Sequence, residues 1–207
     1  MFENRTAAGE RVADALDREG VGADVVVAIP RGGLPVGRPV ADRLGVPLGV
    51  VVASKIGAPD NPEYALGAVA EDGTVWLDDD VVERLDVEES YLARERERER
   101  TAAEKKAESY RDGARPSFAD SRVAVVDDGV ATGATMRACL QLVREDDPEL
   151  LVVAVPVGPP DTLSALDETA DGVVAVERPA RFRAVGAHYR DFGQVSDDEA
   201  IGYLDRS

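Results

Sequence analysis

The chain has 207 residues, 44% of them hydrophobic, which is enough for one folded domain with a substantial core. Its 41 acidic and 24 basic side chains give a net charge of −17, which argues against general binding to nucleic acids or anionic membranes, because the average surface repels both. The single cysteine, Cys139, excludes an internal disulfide framework and fits a reducing compartment.

The acid surplus also indicates the surroundings in which the protein works. Lysine is scarce beside many Arg, Asp and Glu residues, a composition typical of halophiles, in which concentrated salt screens the repulsion between surface carboxylates. No apolar run is long enough to cross a bilayer, and the charges of Glu3 and Arg5 argue against a secretory signal. We therefore expect a cytoplasmic protein of a salt-rich cell, with no membrane and no nucleic acid among its partners.

The first part of the chain alternates between helical and strand patterns. Apolar residues at helical spacing indicate helices, and continuous apolar runs indicate buried parallel strands. The predicted elements are a helix over 5–19, a strand over 25–29, a helix over 35–44, a strand over 46–53, a hairpin over 64–70 and 74–77, and a long helix over 81–111 that is capped by residues 78–80.

The second part continues the alternation after a linker rich in Gly and Pro. Its predicted elements are a strand over 123–126, a helix over 135–143, a strand over 150–155, a helix over 162–168, a strand over 173–176 and a last helix over 197–204, capped by Ser196. Five buried strands that alternate with helices predict an α/β fold, with a central parallel five-stranded sheet flanked by helices. Ligands collect at the carboxyl ends of the strands in such a sheet.

Residues 123–136, VAVVDDGVATGATM, carry the strongest chemical signal. A buried strand ends there in two adjacent acids, which are followed by a loop of small residues and the start of a helix. The backbone N–H groups and the helix dipole favour a phosphate dianion, and the hydroxyls of Thr132 and Thr135 can donate to its oxygens. Asp127 and Asp128 can accept hydrogen bonds from a sugar diol or help to hold Mg²⁺.

This segment resembles the phosphoribosyl diphosphate (PRPP) binding motif of type I phosphoribosyltransferases. A Walker-type loop is excluded, because Gly129 and Gly133 lie too close together and no Lys-Ser/Thr pair follows. The similarity covers nearly the whole chain, and extends to a subgroup of predicted phosphoribosyltransferases that has no settled acceptor. It includes residues 55–69 and 182–192 and, near the start, Phe2, Arg5, Ala8 and Gly9.

The resemblance implies a type I phosphoribosyltransferase fold in a single domain over residues 1–207. An inserted hairpin and long helix, which form a candidate lid region, would occupy residues 58–121, and a small C-terminal hood would occupy residues 177–207. The loop after the first strand would bind pyrophosphate, and in relatives this loop often contains a non-proline cis peptide.

The resemblance also implies roles for individual residues. Asp127 and Asp128 would bind the ribose diol, with Mg²⁺ as cofactor and the same two acids as metal ligands. The 5′-phosphate would lie on Ala131, Thr132, Gly133, Ala134 and Thr135. Pyrophosphate would lie on Arg31, Gly32, Gly33 and Lys55. The candidate catalytic residues are Asp127, Asp128, Lys55 and Arg31. Ser54 precedes Lys55 where some relatives have a second basic residue, which leaves less charge to neutralise pyrophosphate.

An aromatic residue in the C-terminal tail stacks on the base in purine salvage members of the family. Phe182 resembles that residue loosely and is the candidate for acceptor binding. The alternative is that Phe182, Tyr189 and Phe192 form a small satellite of the core. His188 has no metal-type partner in the sequence and receives no role.

The segment 94–100, RERERER, lies in the middle of the predicted long helix. It places opposite charges at i, i+3 and like charges at i, i+4, so the pairs nearly cancel. One interpretation is a solvated helix face, and another is a mobile lid that brings an arginine or Tyr91 over bound phosphates. A further interpretation is that this helix is a contact surface of a homodimer.

The leading functional hypothesis is a transferase that moves the ribose 5-phosphate group of PRPP to a nitrogenous acceptor, a nucleobase by analogy, and releases pyrophosphate. The main rival is a regulator that binds PRPP or a nucleotide without turnover. A third hypothesis is an enzyme of another class that acts on a different phosphorylated sugar. The sequence does not distinguish among acceptor bases.

Overall fold

The computed structural model describes residues 1–111 and 113–204. Its strands, in chain order, are β1 (Val25–Ala28), β2 (Leu48–Val50), β3 (Ala53–Ala58), β4 (Asn61–Ala70), β5 (Val75–Leu77), β6 (Arg122–Val126), β7 (Leu150–Val157) and β8 (Gly172–Glu177). Its helices are α1 (Arg5–Glu19), α2 (Gly33–Leu44), α3 (Asp79–Arg84), α4 (Glu89–Tyr110), α5 (Ala134–Arg144), α6 (Pro160–Leu166) and α7 (Asp197–Leu204), with a short 3₁₀ helix at Val185–His188.

The central sheet has five strands in the order β2-β1-β6-β7-β8, and each neighbouring pair is parallel. Alternate residues of these strands enter two separate cores. Val26, Ala124 and Val152 pack against α1 and α2, whereas Val27 and Val125 face α5 on the other side. Burial on both faces explains why the strands are continuous Val-rich runs. The predicted α/β fold with a parallel five-stranded sheet is confirmed.

A second sheet has three antiparallel strands in the order β3-β4-β5. The predicted hairpin corresponds to β4 and β5, and β3 adds a third strand. The predicted strand over 46–53 was wrong in its extent. It is divided between β2 and β3, because the buried residues Val51 and Val52 carry the chain from one sheet to the other. Lys55 therefore lies within β3, paired with Ala68, and not in a loop at the end of a central strand.

The predicted long helix over 81–111 was also wrong, because the segment forms two helices, α3 and α4. Asp78 caps α3 as expected by accepting a hydrogen bond from the N–H of Val81 at 3.1 Å. Helix α3 then ends, and Asp86 adopts a left-handed conformation with φ 47°. On either side of this turn, Val81 of α3 and Leu92 of α4 enter the same apolar cluster, together with residues of β3 and β4.

The N-terminal and C-terminal segments meet beside the carboxyl edge of the central sheet. Phe2 forms a bridge with Tyr189, and the Phe2 N–H donates to the carbonyl of His188 at 2.8 Å. The loops that follow β1 and β6 open at this edge. Among the described residues, no helix is both long enough and apolar enough to cross a membrane.

Candidate active site

The two acids at the end of β6 are held differently. The Oδ1 of Asp127 accepts a hydrogen bond from the N–H of Asp128 at 2.8 Å, and the Oδ2 of Asp128 accepts one from the Nε of Arg5 at 2.8 Å. Within the described chain the other oxygen of each carboxylate receives no hydrogen bond, and neither of these oxygens is sealed from solvent. Each acid is thus fixed by one oxygen and open at the other.

The electrostatics of this pair favour a positively charged or hydrogen-bond-donating ligand. Burial raises the pKa of the Asp127 carboxyl well above its usual range, and the neighbouring charge of Asp128 raises it further. Burial also raises the pKa of Asp128, an effect that the Arg5 guanidinium opposes. A cation or a sugar diol at the open oxygens would stabilise the ionised carboxylates.

The loop after β1 packs directly against the acids. A Cβ on Gly32 would lie 2.1 Å from the Oδ2 of Asp128, and one on Gly33 would lie 2.7 Å from the carbonyl oxygen of Val126. Only glycine permits this approach, so the backbone amides of the loop lie next to the acid pair. The peptide bond between Pro30 and Arg31 is cis, as the resemblance implied. We call residues 30–33 the glycine loop.

Besides Arg5, whose Nε would lie 3.3 Å from a Cβ on Gly32, the cations Arg31 and Lys106 lie at the glycine loop. The Nη1 of Arg31 is 3.7 Å from the Oδ2 of Asp197, the first residue of α7. The Nζ of Lys106, on α4, donates to the carbonyl oxygen of Pro30 at 2.7 Å. Sequence reasoning assigned Lys106 no role, and this residue lies outside the alternating segment 94–100. A signal was present nonetheless, since Ala103 and Ala107 mark the face of α4 that becomes buried.

The phosphate loop, residues 131–135, leads into α5. Gly133 has φ 79° and precedes the helix, whose first turn has N–H groups without intrahelical partners. Thr132 is exposed and Thr135 is half-buried. The Oγ1 of Thr162 donates to the carbonyl of Ala131 at 2.9 Å, which ties the loop to α6. Such N–H groups and hydroxyls are donors that an anion at a helix N-terminus could use.

Lys55 is not part of this cluster in the structure. Its Nζ donates to the Oε2 of Glu63 at 3.0 Å and to the carbonyl of the same residue at 3.4 Å. Both contacts lie between β3 and β4. The two threonines, the acids and Arg31 lie at the carboxyl edge of the central sheet, whereas Lys55 lies in the second sheet.

The aromatic residues of the tail lie close to one another. Phe182 stacks on His188 with ring centroids 5.5 Å apart, and it packs beside Phe2 and Tyr189. Tyr189 is buried, and its hydroxyl donates to the carbonyl of Asp128 at 2.6 Å. Phe192 lies beneath the Arg5 guanidinium, 3.8 Å from the ring centroid. The satellite of the core thus contains Phe182 and Tyr189, and Phe192 packs at its edge with its ring centroid 4.9 Å from that of Tyr189. An acceptor role for Phe182 stays a prediction.

Arg5 and Tyr189 support the acid pair, and sequence reasoning gave neither of them this role. Besides Asp128, Arg5 contacts the carbonyl of Gly193 through Nη1 at 2.8 Å. Both residues come from the chain ends and reach the site only through tertiary packing. The one available signal was that both belong to the stretches of family resemblance.

The residues present fit a Mg²⁺ ion whose coordination shell is completed by oxygens of the substrate. No group of three or more His, Cys, Asp or Glu side chains that could hold a metal is found among the residues described. Mg²⁺ commonly binds one or two carboxylates and takes its other ligands from water and substrate phosphates. Asp127 and Asp128 suit that mode of binding, because each carboxylate is largely buried yet has one oxygen that accepts no hydrogen bond from the described residues.

Comparisons with known proteins agree with this geometry. The model of the phosphoribosyl transferase domain matches residues 2–190. A crystal structure of TT1426 from Thermus thermophilus is 45% identical, covers 99% of this chain and 97% of its own, and superposes with a TM-score of 0.81. Two curated proteins, from two strains of Mycobacterium tuberculosis, carry provisional phosphoribosyl transferase names and are each 41% identical over 208 residues.

The match to these two relatives covers 100% of this chain and 47% of each relative, so the chain spans about half their length. The family model, the relatives and the arrangement of the acid pair beside the glycine loop and residues 131–135 lead to the same conclusion. The chain belongs to the phosphoribosyl transferase family.

Proposed function

We propose that this protein transfers the 5-phosphoribosyl group of PRPP to a ring nitrogen of a base and releases pyrophosphate. One observation carries the proposal: the acid pair lies between the glycine loop and the phosphate loop at one edge of the sheet. This arrangement would offer two anion sites, with carboxylate oxygens between them that can accept hydrogen bonds from hydroxyl groups. It matches a ribose that carries a phosphate on C5 and a diphosphate on C1.

Each part of the site would have a distinct task. The amides of the phosphate loop and the hydroxyls of Thr132 and Thr135 would hold the 5′-phosphate. Asp127 and Asp128 would accept hydrogen bonds from the ribose hydroxyls and hold Mg²⁺. Bound there, the metal would neutralise charge on the departing diphosphate.

The glycine loop would hold the leaving group. The amides of Gly32 and Gly33 and the guanidinium of Arg31 would bind the diphosphate oxygens, which gain charge as the bond from C1 breaks. The electron pair of that bond leaves with the diphosphate, the acceptor nitrogen forms the new bond to C1, and the proton of that nitrogen passes to the released pyrophosphate or to water. Lys55 would join the diphosphate site only by exchanging its pair with Glu63 for the ligand.

The acceptor would lie beside the tail. A Cβ on Gly129 would be 2.8 Å from the Cγ1 of Val185, so the segment around residues 182–188 packs on the turn that follows the acids. Phe182, stacked on His188, would form one wall of the acceptor site. Exclusion of water by this segment would limit hydrolysis of PRPP.

The test is pyrophosphate release from PRPP and Mg²⁺ with a panel of purine and pyrimidine bases. We expect release with at least one base, and a loss of about 100-fold in Asp127→Asn and Asp128→Asn, the usual cost of losing one group that stabilises a transition state. Asp167→Asn, at an exposed acid after α6, is the matched control. Saturable PRPP binding without release for any base would favour a regulator, and equal release by all variants would contradict the proposal.

A further inference from the structure

Lys106 reaches the glycine loop from a helix that is 76 residues away along the chain. Its Nζ donates to the carbonyl of Pro30 at 2.7 Å, at the peptide that precedes Arg31. We propose that Lys106 binds the diphosphate group of the substrate directly. This inference rests on the proposed function and adds to the site a residue that neither the motif nor the glycine loop contains.

The ammonium is positioned by packed elements on both sides. Ala103 and Ala107, which flank Lys106 on α4, are buried against Val52 at the crossing between the two sheets. One turn later Tyr110 is buried, and its hydroxyl donates to the Oδ1 of Asp197 at 2.6 Å. This half of α4 is therefore fixed to the core, so the position of the Lys106 ammonium is largely set before a ligand arrives.

The surroundings of the ammonium favour an anionic partner. Within the described residues, its one hydrogen bond goes to a neutral carbonyl, which uses one of three donors. A partly buried ammonium is costly unless it is paired, and burial lowers the pKa of Lys106. Asp127 opposes this effect and Arg31 reinforces it, so the ammonium lies within the electrostatic reach of both the acid pair and the glycine loop. A diphosphate there would supply the missing charged acceptor.

The charge balance of the loop gives a second reason. Arg31 is partly offset by Asp197 at 3.7 Å, and the ammonium of Lys55 is paired with Glu63 at 3.0 Å. Ser54, in the place where a second cation would precede Lys55, donates its hydroxyl to Glu99 of α4. A diphosphate entering a chain of net charge −17 needs local positive charge, and Lys106 supplies it from outside the local sequence.

Binding of two partial ligands separates this inference from the proposed function. Inorganic pyrophosphate and ribose 5-phosphate, each with Mg²⁺, are titrated calorimetrically into the wild type, Lys106→Met, Lys106→Arg and Lys105→Met. Lys105 is the exposed neighbour on α4 and serves as the matched control. We expect Lys106→Met to weaken pyrophosphate binding about tenfold or more, as for a lost hydrogen bond to a charged group, with ribose 5-phosphate affinity unchanged. Lys106→Arg should recover most of the loss, and Lys105→Met should match the wild type.

Salt dependence distinguishes a direct contact between Lys106 and the diphosphate from a role of Lys106 in stabilising the glycine loop. If the ammonium contacts the diphosphate, the ratio of pyrophosphate affinities between the wild type and Lys106→Met should shrink as KCl rises, because salt screens the charge. A ratio that is independent of salt, or an equal loss of ribose 5-phosphate binding, would overturn the inference. A wild type that binds neither ligand would instead refute the proposed function, and this inference with it.

Discussion

At the scale of single residues, the two acids of the motif have unequal support. Asp128 has the Arg5 guanidinium at 2.8 Å, and its carbonyl accepts the Tyr189 hydroxyl, whereas among residues 1–111 and 113–204 the one donor to the Asp127 carboxylate is a backbone N–H. Burial raises the pKa of both carboxyls, so the ionised pair has an unfavourable electrostatic energy in the absence of a ligand. Binding of a cation and a diol would release that energy, which is a physical reason for a functional site to retain a destabilising pair.

The pH dependence of stability tests this electrostatic cost. The folded chain holds the Asp127 proton more tightly than the unfolded chain, so this group favours folding at low pH, and that contribution is lost as pH rises from the ordinary pKa of 3.8 through the raised value. In Mg²⁺-free protein, Asp127→Asn should therefore raise the free energy of unfolding at pH 7 by about 1 kcal/mol. The gain should shrink as pH falls towards 4.

Denaturant unfolding of the wild type and Asp127→Asn across this pH range measures the difference. Asp167→Asn, at an exposed acid, should show no such trend. A destabilised Asp127→Asn at pH 7 would mean that the carboxylate is a structural group, and the interpretation of the pair as a ligand site would lose its physical basis.

The acids and threonines could be located from the sequence because the motif is local: fourteen consecutive residues encode a strand end, a loop and a helix start. Lys106, Arg5 and Tyr189 could not, because each reaches the site through tertiary packing from a distant part of the chain. Lys55 was misplaced for a different reason. Its position depends on where the chain passes from the central sheet to the second sheet, and the unbroken apolar run over residues 46–53 gives no sign of that crossing.

At the scale of secondary-structure elements, α4 and α7 together close one side of the glycine loop. Tyr110 of α4 holds Asp197, and Asp197 in turn lies 3.7 Å from Arg31. Val195 and Ala200 fix the start of α7 in the same apolar cluster as Ala28 and Leu34. A carboxylate from the C-terminal segment thus faces the guanidinium that we assign to diphosphate binding.

Asp197 should therefore compete with the diphosphate for Arg31. Asp197→Asn keeps an oxygen that can accept from Tyr110 but removes the charge, and it should tighten pyrophosphate binding by up to about fivefold, the range expected for an exposed ion pair. Asp198→Asn, the exposed neighbour, is the control. Calorimetric titration at low salt measures the effect, and weaker binding by Asp197→Asn would show that Asp197 supports the loop instead of competing for it.

The elements also differ in how well the sequence predicted them. Strands β1, β6, β7 and β8 and helix α1 were predicted to within two residues at each end, because strong apolar runs and the left-handed Gly20 mark their limits. The break between α3 and α4 was missed, because no Gly or Pro marks it and Asp86 adopts φ 47° without a sequence signal. The single-domain layout and the lid role of residues 81–111 stay predictions, although Tyr91 donates to the carbonyl of Gly57 at 2.9 Å in this conformation.

At the scale of the whole molecule, the net charge of −17 is the main electrostatic influence on folding. Self-repulsion of surface carboxylates opposes folding, and salt reduces it. The alternating stretch on α4 offsets part of this repulsion through pairs such as Arg98 with Glu95 at 2.6 Å and Arg100 with Glu97 at 2.8 Å. Both are i, i+3 contacts as predicted, and the exposure of Arg98 and of Glu97 leaves each pair too weak to compensate for the acid surplus.

The melting temperature should therefore rise by several degrees between about 0.1 M and about 1 M KCl, where the Debye length falls from about 10 Å to about 3 Å. For a chain of this size, about 1 kcal/mol of stabilisation raises the midpoint by about 2–4 °C. The rise should level off near 1 M, which distinguishes screening from a general salting-out effect. A melting temperature that is flat or falls over this range would contradict the inference of a salt-rich environment.

The central claim is that the acid pair and the two anion-binding loops form one site for a phosphorylated ribose with a diphosphate on C1. Calorimetric titration of PRPP tests it most directly, with and without Mg²⁺, in the wild type and in the double variant Asp127→Asn, Asp128→Asn. The account predicts one PRPP per chain, with affinity that falls at least about tenfold on removal of Mg²⁺ or of the two carboxylates. PRPP binding that is unchanged by both treatments, or no binding by the wild type in Mg²⁺, would contradict it.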